Sequence, residues 1–180
     1  MGRKVTKPPA EEAITLEAAQ QHVKADPDDD NDVILRRAIV AARERVEHEL
    51  GRPLLPQTCE ARFDGFSRRL ALWQDVGRVV SVSYVDDTGA TVVVDPGRYY
   101  LTGAAWLNVT GSLPAAREVI AVFECGAFEP DSVPESIVEW MLLQVGAIHE
   151  SRSSVDTMQT YELPGHFVDG LIDRYRFYSI

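Results

Sequence analysis

Five aspartates and an asparagine crowd seven positions between Asp26 and Asp32, and oxygen ligands at alternate positions are what a hard divalent cation needs. A calcium loop requires carboxylates at its positions 1, 3 and 5, glycine at 6 and a bidentate glutamate at 12. Counting from Asp26, the first three fall on Asp26, Asp28 and Asp30, but position 6 is Asn31 and position 12 is Arg37, a cation. Counting from Asp28 puts Val33 and Ile39 at the two defining places. Both frames fail. The run fits a helix start better: Asp28, Asp29, Asp30 and Asp32 can accept from the orphan amides of a first turn and oppose the positive end of the helix dipole. A channel-lining role for the same four is the more speculative addition.

The remaining chemistry-bearing residues are scattered. His22, His48, His149 and His166 share no zinc spacing, and His149 and Glu150, as helix neighbours, point about 100° apart. There is no Gly-x-Ser-x-Gly elbow, phosphate loop or dinucleotide fingerprint. The sequence therefore reads as a non-enzyme without cofactor or metal. A magnesium- or calcium-binding regulatory module built on Asp26–Asp32 and a small hydrolase with an unrecognised site in the β-region are the rivals from other classes.

The elements that would position these residues form an α+β order. Ile34, Ala38, Ala42, Val46 and Leu50 recur every four residues, with Leu35 and Ile39 widening the stripe. This predicts a long helix from about Asp29 to Leu50, terminated by Gly51 with Pro53 beyond it. Thr15 can cap a shorter helix carrying Leu16, Ala19 and Val23, so residues 15–50 are helical. Residues 57–125 mix β-branched and aromatic runs with turns, and "YVDDTGATVVV" is the clearest hairpin. No helical crossover interrupts them, which predicts an antiparallel sheet or small sandwich. Residues 133–176 return to helix. Pro134 sits at the first turn, Ile137, Met141, Val145 and Ile148 form one face, and Val168, Leu171, Ile172 and Tyr175 form a short second helix.

At 180 residues and 45% hydrophobic content, the chain is expected to form one domain over residues 14–176. A flexible arm (1–13) would precede it and a tail (177–180) follow. The opening "MGRKVTKPPAEEA" has no apolar core for a secretory signal, and no stretch is apolar enough to span a bilayer. Gly2 is a weak myristoylation site. Cys59 and Cys125, both in expected strands, read as buried thiols of a reducing cytosol. A formal net charge of −10 argues against a broad grip on nucleic-acid phosphates, yet a negative wall would let a moving polyanion pass without sticking.

The stretch "ITLEAAQQHVKADPDDDNDVILRRAIVAARERVEHELGRPLLPQT", with "VPESIVEWMLLQVGAIHESR" and "LPGHFVDGLIDRYR" after it, resembles tailed-bacteriophage head–tail connector proteins, also called adaptors or head-completion proteins. Relatives of that family occur in prophages and gene transfer particles. The resemblance runs from about Ile14 to Arg176 and rests on the order of the strings. It implies a structural virion protein, assembled in the host cytoplasm, forming a homo-oligomeric ring that matches a twelve-fold portal. Such a ring would bind the portal, extend the DNA channel without reading its sequence, and present a surface to the stopper or tail. A stopper or tail-completion protein is the alternative within phage assembly. The resemblance suggests that the C-terminal segment docks onto the portal. There Arg174, Tyr175, Arg176, Phe177, Tyr178 and Ile180 combine the aromatics and arginines that usually anchor interfaces.

Overall fold

A computed structural model describes residues 2–24, 32–112, 114–153 and 170–177. The fold is α+β, and the chain divides into two compact units: Met1–Ala10 with Leu55–Ala127, and Glu11–Leu54 with Phe128–Ile180. The residues 14–176 expected to form one domain are thus shared between a β-unit and a helical unit, each built from two stretches of the chain.

The helical unit contains α1 (Leu16–Val23), α2 (Asp32–Leu50) and α3 (Glu135–Ser153). Thr15 caps α1 as its side chain accepts from the Ala18 amide at 3.1 Å, and Lys24 closes the helix in the left-handed conformation at φ 50°. The periodic stripe of α2 is buried at Leu35, Ala38, Ile39, Ala42, Val46 and Leu50. Gly51, at φ +68°, terminates it as a residue without Cβ can do cheaply. In α3 the buried positions are Ile137, Trp140, Met141 and Val145. Pro134 stands just before this helix, its carbonyl accepting from Ile137 and Val138, where its missing amide costs nothing. Of the expected last helix, Gly170 is helical, Ile172 is buried and Asp173–Tyr175 form a 3₁₀ turn. Val168, at its start, lies outside the described residues.

The β-unit contains β1 (Gly2–Lys7), β2 (Gln57–Phe63), β3 (Arg69–Ala71), β4 (Val76–Val85), β5 (Thr91–Val93), β6 (Tyr99–Thr102), β7 (Trp106–Val109) and β8 (Glu118–Cys125). Five strands form one antiparallel sheet in the order β1-β2-β8-β4-β5, and three form another, β3-β7-β6. Alternate residues of β2 and β8 face a core shared by both sheets: Cys59, Ala61 and Phe63 with Val119, Ala121, Phe123 and Cys125, joined by Leu70, Val82 and Leu107. The β4–β5 hairpin forms where its turn chemistry predicts. The Asp86 carboxylate accepts from the Thr88 amide (2.8 Å), the Thr88 hydroxyl (2.6 Å) and the Ala90 amide (3.0 Å), and Gly89 takes φ +88°. These bonds hold the Asp86 carboxyl below its ordinary range, the Thr88 hydroxyl contributing most.

The arm expected to be flexible is instead an edge strand at Gly2–Lys7. It pairs with β2 from Gly2↔Arg62 to Lys7↔Thr58, and the Arg3 guanidinium lies 5.5 Å from the Trp73 ring centre. None of its six side chains is buried, so apolar alternation could not announce it. It is held by the backbone ladder and that cation–π contact.

Candidate interaction surfaces

The C-terminal segment is anchored on its own helical unit. The Phe177 amide donates to the Leu50 carbonyl at 2.8 Å, and a Cβ at Gly51 would stand 3.2 Å from the Phe177 carbonyl oxygen. Arg176 reaches back to Glu49 and across to Asp173, both at 3.3 Å. Tyr175 meets Phe128 edge-on with ring centres 6.4 Å apart, and Arg174 stacks over Tyr175 while donating to its hydroxyl. That guanidinium holds the Tyr175 phenol below its ordinary range. Of the aromatic and arginine residues singled out in the sequence, Tyr175 thus contacts Phe128 and Arg176 contacts Glu49 near the end of α2, whereas Phe177 is 47% exposed. Tyr178 and Ile180 lie outside the described residues.

Of the acidic run, Asp28, Asp29 and Asp30 lie outside the described residues. Asp32 occupies the first turn of α2, and its Oδ1 accepts from Gln20 Nε2 of α1 at 2.7 Å, tying the two helices together. Among the described residues, no group of three or more His, Cys, Asp or Glu is placed to hold a metal ion. Nor is any helix of those residues long and apolar enough to cross a membrane.

A buried ionic cluster joins three segments of the helical unit. Arg43, 4% exposed, extends Nε to both oxygens of Glu12 (3.2 and 3.0 Å) and Nη1 to Glu47 Oε2 (3.1 Å). Glu47 Oε1 accepts from the Leu54 amide at 2.9 Å. One arginine therefore clamps the segment before α1, the middle of α2 and the chain leaving α2. Arg43 and Glu47 sit in "AARERVE", four residues apart, and their charge reads as a solvated face. The available signal was their position beside Ala42 and Val46, on the buried side of the stripe.

The outer face of the three-stranded sheet carries a different surface. The Arg69 guanidinium lies 4.0 Å from the Trp106 ring centre, Trp106 pairs with Thr102, and Tyr100 beside them is 56% exposed. On the five-stranded sheet, Arg78–Glu124 (2.6 Å) and Arg62 with Glu60 (2.7 Å) and Glu118 (3.0 Å) form exposed ion pairs. The Arg78 guanidinium holds the Glu124 carboxyl below its ordinary range.

Together these features define an α+β chain with a helical unit and a β-sheet unit. No family model matches the sequence, and no curated protein does. Among solved structures, it shares its fold with chains of gene transfer agent (GTA) particles. These come from the neck of an empty GTA particle computed with C6 symmetry (TM-score 0.76, 16% identity), the virion of a native GTA particle (0.78, 17%) and the neck of a native GTA particle computed with C12 symmetry (0.72, 17%). Each match covers 100% of this chain and 97% of the other. At such identity, the likeness is one of fold.

Proposed function

We propose that the chain is a structural component of the neck of a phage-like particle: a ring-forming adaptor that binds the portal, extends the DNA channel and joins the head to the stopper or tail. The observation that carries the reading is the end-to-end match to chains from GTA necks and a GTA virion. Ring symmetry requires head-to-tail contacts that close, in which each subunit buries two different faces. In this role Tyr175 and Arg176 anchor the C-terminal segment. Arg174 and Phe177, with Tyr178 and Ile180 beyond them, reach the portal. Asp28, Asp29, Asp30 and Asp32 complement the start of α2, and they add to an acidic wall that passing DNA does not adhere to.

The test is the mass of the full chain by light scattering, alone and mixed with its candidate portal. The expected result is a ring-sized species or a portal complex, the latter lost when Arg174–Ile180 is deleted. A monomer indifferent to the portal would overturn the reading.

A further inference from the structure

Among the described residues, the five-stranded sheet ends in two unpaired edges of opposite character, β1 and β5. β1 carries Arg3, Lys4 and Lys7, all exposed, and no carboxylate. β5 is bracketed by Asp86 and Asp87 on one side and Asp95 on the other. The nearby arginines are engaged with backbone: Arg117 donates to the Asp87 carbonyl and Arg98 to the Ser112 carbonyl. Within the hairpin, Asp86 bonds Ala90, Val94 bonds Val82, and Tyr84 pairs with Val92. Alternation then leaves the backbone groups of Thr91 and Val93 pointing out of the sheet, ready for another strand.

We propose that the sheet continues between copies of this chain, the β1 edge of one subunit pairing with the β5 edge of the next. Side-chain rows support the match. Val5 lies opposite Cys59 and Val92 opposite Tyr84, so both face the core side of the sheet. They are 40% and 37% exposed, and each would cover the other in a continued row. Charge selects the pairing: β1 against β1 sets cations on cations, β5 against β5 sets carboxylates on carboxylates, and only the mixed contact relieves both. Lysines that keep an edge strand from pairing with its like thus steer it to the acidic-flanked edge. Because the two edges differ, the contact is heterologous and propagates head to tail, the kind a ring requires. The inference rests on the ring reading above and adds the joint between subunits.

The experiment uses full-length Val5→Cys and Val92→Cys variants, separately, mixed, and combined in one chain, treated with a short bis-maleimide and run on denaturing gels. Cys59 and Cys125 are buried, so the unmodified protein gives the background. The expected result is a cross-linked dimer in the mixture, none in either single variant, and a ladder in the double variant. Lys4→Glu with Lys7→Glu should remove the product at low salt, and Asp87→Lys in the partner should restore it. A ring by light scattering without the Val5–Val92 product overturns the edge contact and leaves the adaptor reading intact. Equal dimers from the single variants overturn it as well. A monomer without product also overturns it, while portal binding separately decides the adaptor reading.

Discussion

Replacing Arg43 by methionine should be among the most damaging single changes in the helical unit. The side chain is 4% exposed and is the cation facing both Glu12 and Glu47. Methionine fills much of the same space but leaves the Glu47 carboxylate, itself 6% exposed, with the Leu54 amide and without that cation. Breaking a buried pair on one side costs about 3–5 kcal/mol, because the remaining charge stays desolvated. At roughly 2–4 °C per kcal/mol for a chain of this size, the helical melting transition should fall by about 6–20 °C. Glu47→Gln alone should cost less, about 1–2 kcal/mol, since Arg43 keeps its two bonds to Glu12 and the amide oxygen can still accept from Leu54. The double variant Arg43→Met, Glu47→Gln removes both charges, and should be more stable than Arg43→Met alone by about 2 kcal/mol. Urea denaturation followed by circular dichroism at 222 nm, which reads α1–α3, measures all three. An Arg43→Met variant within about 1 kcal/mol of the unmodified protein, or a double variant as unstable as the sum of the singles, would refute the reasoning.

Gly51→Ala places a Cβ at φ +68° and 3.2 Å from the Phe177 carbonyl, so it should cost about 1–2 kcal/mol and loosen the C-terminal segment. Faster amide exchange at Phe177 would report the loosening, and an unchanged rate would count against the contact. The Asp86 carboxyl titrates below its ordinary value of 3.8 in the folded protein, so its contribution is fully present above that value and is lost as pH falls through the depressed native one. Exchange protection at Thr88 and Ala90 should accordingly hold to about pH 4 and fall only below it; loss already at pH 5 would show that the carboxylate is not what holds the turn.

The sequence disclosed what local physics decides. Four-residue apolar spacing located α2 and α3, Gly51 located the end of α2, and Asp-Asp-Thr-Gly located the β4–β5 turn. β1 was illegible because an edge strand exposed on every side chain needs no apolar alternation; its ladder partner, β2, lies more than fifty residues away. The anchoring of Phe177 on Leu50 was illegible for the same reason, since the bond is between backbones and leaves no mark on residue type. Arg43 and Glu47 were illegible for a different reason. Charge is the usual signature of a solvated face, and here it is buried because Glu12 and the Leu54 amide complete the shell.

Net charge shows what a whole-chain number conceals. The β-unit carries nine Lys and Arg against eight Asp and Glu, leaving +1, and the helical unit nine against twenty, leaving −11. The −10 of the chain is therefore carried by the helical unit as a whole. An acidic wall for passing DNA, as proposed above, would be a surface of the helical unit. The β-unit, close to neutral, places three of its nine cations on β1 and three of its eight carboxylates, Asp86, Asp87 and Asp95, beside β5, a distribution that acts at contact range. Salt should separate the two effects: raising it from low to physiological strength shortens the screening length to about 8 Å, which weakens the long reach of the helical unit's charge more than paired side chains at a strand edge.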